Sequence, residues 1–373
     1  MIFDYHNITE YQIEVTTYCN ASCPQCPRNV QGSGINPWLP LTSLPRELLA
    51  ARFPAELCQR LRQIFFCGSY GDPIMHKEFL GILEDFRNKS KTLWLYLHTN
   101  GGAHDEAWWR QLAIVLDGHG QVDFGIDGIG PTLSLYRRHV DYQKVINNAR
   151  AFIQAGGRAK WNFIVFRHNE HEVDAARALA QEFGFVDFLA RRTGRFWHHE
   201  QERELDQWPV LDRQGHVEYV LEPPQNPEWR NASTQRIEFI RSEHASFAKY
   251  LAGTSITCDA AQGRKVAIAA TGLVMPCNFF THNLYDARFR DPEYLPGRHP
   301  LSQQNNINQV AAFVDRHGRD GLDLHYHSLE QIFASPFWQE LEHSWYGQDR
   351  LMECAMTCGE KFTKVWDQGG NKQ

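Results

Sequence analysis

Along the first half of the chain, short apolar or alternating runs take turns with longer stretches whose apolar residues recur at helical spacing. Residues 11–17 alternate, with Ile13 and Val15 between polar neighbours, and read as a first strand. Residues 63–67, 93–99, 122–126, 161–166 and 185–189 read as five more. Between them, residues 77–88 place Phe79, Leu80, Ile82, Leu83 and Phe86 on one helical face. Residues 106–116, 142–154 and 172–183 give further helices, the last two stopped by Gly156-Gly157 and Gly184. Residues 28–54, rich in Pro, Gly and Leu, read as a long loop holding a short helix. Strands alternating with helices in this way predict parallel βαβ units.

Most of the predicted strands run into glycines, amides or charged groups just past their C-terminal ends, where parallel α/β folds bind ligands. Gly68-Ser69-Tyr70-Gly71-Asp72-Pro73 follows the second strand, Asn100-Gly101-Gly102 the third, Asp127-Gly128 the fourth, and Arg191-Arg192 the sixth. Asn162 lies inside the fifth strand and needs a partner if buried. After the first strand come Cys19, Cys23 and Cys26, spaced C-x3-C-x2-C. Three thiolates in one loop hold three corners of a cluster but do not complete a four-ligand zinc or iron–sulfur site. They leave one metal open to an exogenous ligand, unless they are a reduced thiol cluster or half a zinc site.

The second half differs. Residues 197–254, with Pro223-Pro224-Gln225-Asn226-Pro227, read as a linker or excursion with few strand patterns, and His198 and His199 lack the paired spacing of a metal site. Then follow Cys258, Gly272 and Cys277 as C-x13-G-x4-C, with a hairpin over residues 266–277 turning at Thr271-Gly272. Cys354 and Cys358 add two more thiols. Four cysteines suit one iron–sulfur cluster or a zinc knuckle. Cys58 and Cys67 read as buried small hydrophobes.

Composition narrows the class. The chain has 373 residues, 42% hydrophobic and 22% charged, which suits a soluble protein with one large α/β domain and an appendage. A formal net charge of −6 gives no footprint for nucleic acid or an anionic membrane. No apolar run is long enough to span a bilayer, and the N-terminus lacks the basic and apolar regions of a signal peptide. Nine cysteines without an export signal point to metal or catalytic use in a reducing, cytoplasmic compartment.

The C-x3-C-x2-C triplet after a first strand resembles the signature of the radical S-adenosylmethionine (radical SAM) enzymes, and the second cysteine set resembles their SPASM and twitch extensions. The resemblance covers residues 11 to about 195 and about 255 to 360. It implies an open (β/α)6 partial TIM barrel over 1–196, an excursion over 197–254 and a small twitch/SPASM-like iron–sulfur domain over 255–373. Cys19, Cys23 and Cys26 would bind a 4Fe–4S cluster whose fourth iron is chelated by SAM. Cys258, Cys277, Cys354 and Cys358 would bind one auxiliary 4Fe–4S cluster; a complete SPASM domain holds two, so this chain departs from it towards the twitch form.

Gly68, Ser69, Tyr70, Gly71 and Asp72 stand where the family carries its "GGE" motif for the SAM amino group, with a loose match. Asn100 resembles the ribose-side turn, Asn162 the polar residue for the ribose hydroxyls, and Arg191 a partner for the SAM carboxylate. Ile126-Asp127-Gly128 resembles an "S-x-D-G" segment with Gly125 in place of serine. Asp127 is then the candidate catalytic residue, binding ribose or facing substrate, with a helix N-cap role the alternative. The implied activity is reductive cleavage of SAM to a 5′-deoxyadenosyl radical that abstracts hydrogen from substrate. A peptide or protein substrate, as in ribosomal peptide maturation, is expected first and a sugar or aminocyclitol second. A non-catalytic iron–sulfur or zinc module is the remote alternative. Expected partners are a flavodoxin- or ferredoxin-like electron donor and, since only about ten residues precede the first strand, either a separate leader-peptide-binding protein or the 197–250 excursion in that role.

Overall fold

The computed structural model describes residues 2–198, 203–231, 242–244, 246–285, 309–347 and 350–359. Its centre is an eight-stranded sheet. The strands are β1 (Glu10–Ile13), β2 (Gln63–Phe66), β3 (Trp94–Thr99), β4 (Gly120–Gly125), β5 (Ala159–Val165), β6 (Asp187–Arg192), β7 (Lys265–Ile268) and β8 (Val274–Met275). Their spatial order is β8-β7-β1-β2-β3-β4-β5-β6. All neighbours run parallel except the β7–β8 hairpin at the edge. The crossovers are helical: α1 (Arg46–Arg52) and α2 (Ala55–Arg60) lead to β2, and α3 (Phe79–Lys89), α4 (Glu106–Leu116), α5 (Tyr142–Gln154) and α6 (Val173–Phe183) lead to the next four strands. The six predicted strands and four predicted helices are all present, so the α/β fold with a parallel, partial-barrel-like sheet stands.

Alternation decides which side each strand residue faces. Leu95 and Leu97 of β3, Val122 and Phe124 of β4, and Trp161 and Phe163 of β5 are fully buried in the apolar core. There Trp109 of α4 packs on Phe124 and Phe152 of α5, with ring centroids 5.1 and 6.3 Å apart. Asp105 and Asp141 cap α4 and α5, accepting from the amides of Trp108 and Lys144. The opposite face of the strands is polar. Tyr96, His98, Gln121, Asp123, Asn162 and Arg191 are joined there by hydrogen bonds from strand to strand.

Two expectations change. The hairpin at residues 266–277 forms, with Gly272 at its turn, but β7 pairs along its whole length with β1, Tyr11 opposite Val266. The boundary drawn at 254/255 therefore does not separate the hairpin from the core: this segment extends the barrel sheet. The excursion after residue 196 also holds a strand pair, Trp208–Leu211 with Val217–Leu221. It docks on the barrel through Leu211 N–H to the Gln31 carbonyl and Tyr219 Oη to the Leu135 carbonyl. His199, like the side chain of His198, lies outside the described residues. Among the described residues no helix is long and apolar enough to cross a membrane.

One buried cation closes the outer layer. Arg87 of α3, 5% exposed, donates to the carbonyls of Ser90, Lys91, Leu93, Leu116 and His119, fastening the end of α4 to the start of β3. Charged donors to carbonyls contribute about 1.5–3 kcal/mol each, so Arg87→Met is expected to cost at least ~3 kcal/mol in urea unfolding. Arg110→Ala, which breaks only an exposed i,i+4 pair with Glu106, is expected to cost about 0.5 kcal/mol or less.

Candidate functional site: a three-cysteine loop at the mouth of the sheet

Past β1, Thr16 pairs with Ser43 and the chain turns into the cysteine loop. The loop is held from below by side chains that take up its carbonyls. Arg28, 5% exposed, donates through Nε to the Thr17 carbonyl at 2.9 Å, Asn29 to that of Cys23, and Asn36 to that of Pro27. Arg195 Nη1 donates to the Gln25 carbonyl at 2.8 Å from the far end of β6. Cys23 is buried, and Cys19 and Cys26 are half-buried.

The three sulfurs are close enough to oppose one another's ionisation. Burial, then Asp72, Cys23 and Cys26, push the Cys19 thiol upward; burial and Cys26 raise Cys23 to about 11, against the pull of Arg137. Massed thiols of this kind become thiolates when a cationic centre binds them.

Three neighbouring loops fit round the triplet. In the loop after β2, the main chain of Asp72 donates to the Tyr18 carbonyl, and the Asp72 side chain reaches the loop after β3. One carboxylate oxygen accepts from Thr99 Oγ1 (3.0 Å), Asn100 N (2.8 Å) and Asn100 Nδ2 (2.8 Å); the other accepts from Ile74 N. Asn100 Nδ2 also reaches Asn20 Oδ1 at 2.8 Å and Cys19 Sγ at 3.7 Å. Asp72 is thus the acidic group beside the sulfurs, and protein donors already occupy it. Among the described residues no three His, Cys, Asp or Glu side chains close on a single metal ion. Three soft thiols on one loop suit the chemistry of an iron–sulfur cluster.

The rest of the loop after β2 faces two ways. Gly71 passes so near the Thr16 carbonyl that a Cβ there would collide with it. Glu14, which the sequence reading passed over, accepts from Tyr70 N at 2.7 Å and Gly71 N at 3.1 Å. Its signal was legible: a lone acid in an otherwise uncharged strand-like run. Ser69 and Tyr70 turn outward instead. Tyr70 Oη donates to the His282 carbonyl, its ring lies 5.7 Å from that of His282, and Ser69 Oγ lies 3.3 Å from Thr281 Oγ1.

Of the other expected site residues, Asp127 is completely buried. Its carboxylate pairs with Arg137 Nε at 2.6 Å and accepts from Ile164 N at 2.7 Å. It therefore does not cap a helix. Asn162 and Arg191 do come together, Arg191 Nε donating to Asn162 Oδ1 at 3.3 Å while Asn162 Nδ2 donates to Asp123 at 2.8 Å. Cys58 is buried in the core as expected, but Cys67 is not a core residue: it is half-buried, with its sulfur 3.9 Å from His98 Nδ1 on the polar face.

A second thiol group lies beyond β8. Cys258 caps the short helix Asp259–Gln262, Cys277 precedes α7 (Asn278–Tyr285), and Cys354 and Cys358 lie one turn apart on α8 (Met352–Cys358). All four line one small cavity of about 20 Å³, with Phe280, Leu341, Trp345 and Glu353. Burial raises Cys277 to about 12, and contact with Cys258 is the largest influence raising Cys358. Through Tyr70 and His282, α7 ties this cavity to the mouth.

Glu14 carries a test. Burial raises its carboxyl from 4.5 to about 7, so the folded state favours the neutral acid. The stability it contributes is full below pH 4.5 and is lost as pH rises through 7. Between pH 5 and 8 the melting temperature of the wild type is expected to fall more steeply than that of Glu14→Gln. Parallel pH profiles for the two proteins contradict this.

Comparison with known proteins agrees with the geometry. A model of the radical SAM superfamily matches residues 13–180. No curated protein sequence matches. Among solved structures, anSMEcpe with bound AdoMet superposes with a TM-score of 0.51 at 13% identity, covering 96% of this chain and 91% of that one. SuiB of Streptococcus suis bound to S-adenosylmethionine gives 0.48 at 12%, covering 77% of this chain; the match spans 67% of SuiB, about two thirds of its length. Methylornithine synthase (PylB) gives 0.38 at 11%, over 49% of this chain and 53% of that one. The family's match runs from the end of β1 into α6, a little under half of the chain, and takes in the three-cysteine loop, so over that stretch the chain is similar to the radical SAM superfamily.

Proposed function

We propose that this protein is a radical SAM enzyme that reductively cleaves S-adenosylmethionine and takes a hydrogen from a peptide or protein side chain or backbone, with a second iron–sulfur cluster close to the mouth. The observation that carries the reading is the three-thiol loop beside which the Asp72 carboxylate is already engaged by Thr99, Asn100 and Ile74. When bound, a reduced 4Fe–4S cluster and SAM supply a 5′-deoxyadenosyl radical.

The chain's own residues position and shield that chemistry. Cys19, Cys23 and Cys26 would hold three irons. Asn100 orients Cys19 and would face the cofactor, and the Gly68–Asp72 backbone, its Tyr70, Gly71 and Asp72 amides already engaged, would offer carbonyls to the SAM amino group. Asn162 and Arg191, in contact on the polar face, would meet the ribose and carboxylate of SAM. Ser69 and Tyr70 act on α7 rather than on the cofactor, fastening the Cys258–Cys277–Cys354–Cys358 cavity beside the mouth. A cluster there, in the twitch manner, would take an electron from the substrate radical.

A peptide substrate follows from the likeness to the SPASM and twitch group. The protein anSMEcpe is also recorded with the peptide Cp18Cys, and SuiB with its precursor peptide SuiA. A flavodoxin- or ferredoxin-like donor and a separate leader-binding protein complete the proposal. The second reading is a sugar or aminocyclitol, favoured by the polar face of Tyr96, His98, Gln121 and Asp123.

Anaerobic reconstitution is expected to load about eight irons per chain, and dithionite with SAM to release 5′-deoxyadenosine. Cys23→Ala is expected to abolish that release; Cys358→Ala is expected to keep much of it while losing about four irons and blocking product. Release undiminished in Cys23→Ala, or a protein holding zinc alone, would overturn the assignment. A short precursor peptide encoded beside the gene would decide for the peptide reading, and turnover of a polyol for the second.

A further inference from the structure

The pairing of Arg137 with Asp127 beside Cys23 is unused by the reading above. Arg137 follows the short helix Leu133–Tyr136, after the fourth strand's loop. Its guanidinium donates through Nε to Asp127 Oδ2 at 2.6 Å, while Nη1 lies 3.8 Å from Cys23 Sγ. The geometry is fixed from several sides. Asp127 is wholly buried and its other oxygen is taken by Ile164 N. Ser22 N donates to the Arg138 carbonyl at 3.1 Å, tying the cysteine loop directly to the main chain next to Arg137. Gly125 leaves the space the guanidinium fills, since a Cβ there would come within 2.5 Å of Nη2. Arg138, by contrast, points away to the Leu211 carbonyl and Glu218.

We propose that Arg137 is an electrostatic positioning residue for the cluster at Cys19, Cys23 and Cys26, raising its reduction potential through a cation held against the Cys23 sulfur, with Asp127 fixing and partly offsetting that charge. The inference rests on the radical SAM reading. One-electron reduction by the external donor adds one negative charge to the cluster and its thiolates. A fixed positive charge stabilises the reduced form more than the oxidised one, and in a partly buried site water screens that difference poorly. Charge and hydrogen bonds at ligating sulfurs are established levers on cluster potential. The serine-to-glycine departure at position 125 gains a physical reason, because a side chain there would displace the guanidinium from the sulfur.

The sign of the effect separates this from a structural role. Arg137→Met removes the cation and leaves the carboxylate, so the midpoint should move to more negative potential. Asp127→Asn removes the anion and leaves the cation, so it should move to more positive potential. Arg137→Lys keeps the charge and should stay near the wild type.

The experiment is an EPR-monitored redox titration of the full-length reconstituted protein without SAM, following the signal that SAM addition later perturbs, with iron counted in every variant. Opposite shifts in Arg137→Met and Asp127→Asn, with Arg137→Lys between them, support the proposal. Shifts of the same sign, or none, overturn it. So does an unchanged midpoint with weakened SAM binding in Arg137→Met, which would make Arg137 a SAM ligand instead. If Arg137→Met loses its iron, the decision passes to the other two variants: an unshifted Asp127→Asn overturns the proposal and a positive shift beside a wild-type-like Arg137→Lys supports it. A wild type that binds no iron at the triplet refutes the radical SAM reading itself, a distinct outcome.

Discussion

The mouth of the sheet depends on one carboxylate. Asp72 sits 5% exposed between three loops that begin on three different strands. Its amide holds the Tyr18 carbonyl next to Cys19, and its side chain gathers Thr99, both nitrogens of Asn100, and the amide of Ile74. Burial pushes its carboxyl upward, and those four donors pull it back. A buried anion without them would cost several kcal/mol, of order the penalty for breaking a buried pair. With them, the cysteine loop, the glycine loop and the asparagine turn are tied to one residue. Asn100 meets the Cys19 sulfur for that reason, and the Asp72 carboxylate is already engaged.

The same device recurs round the mouth. Glu14 holds the amides of Tyr70 and Gly71, Asp127 holds Arg137 and the amide of Ile164, and Asp123 collects Tyr96, His98, Gln121 and Asn162. Asp123 stays below the ordinary carboxylate range because those donors, His98 foremost, outweigh its burial. Backbone amides and neutral donors satisfy much of this negative charge without placing a cation at every acid. Of the cations that reach the cysteine loop, Arg28 and Arg195 bind carbonyls, while Arg137 approaches a sulfur. The scaffold that orders the loops therefore also sets the electrostatic surroundings of the triplet.

Much of the barrel was legible because strand alternation and helical spacing are local properties, and helices 142–154 and 172–183 end at the glycines that marked their ends. What escaped was set by distant partners. Residues 266–270 are apolar on both faces, so the run fits an isolated hairpin as well as a sheet; only its pairing with β1, some 250 residues away in sequence, makes it barrel. Cys67 could have been placed correctly by parity, since Ile64 and Phe66 face the core and Phe65 and Cys67 must face the other way. The cysteine sets were readable as sets from spacing. The partner of Asp127, ten residues on and past a short helix, left no periodic trace. Nor did the outward turn of Ser69 and Tyr70, which follows from α7 lying alongside them.

The proposed function turns on an iron that Cys19, Cys23 and Cys26 would leave open to the cofactor. Pulsed electron–nuclear double resonance on the reduced, reconstituted protein tests that directly, using S-adenosylmethionine labelled with ¹⁵N at its amino group. The account predicts hyperfine coupling between that nitrogen and the cluster held by Cys19, Cys23 and Cys26, lost in Cys23→Ala. A cluster showing instead a strong coupling to a nitrogen of the protein, with none from the labelled cofactor, would contradict it.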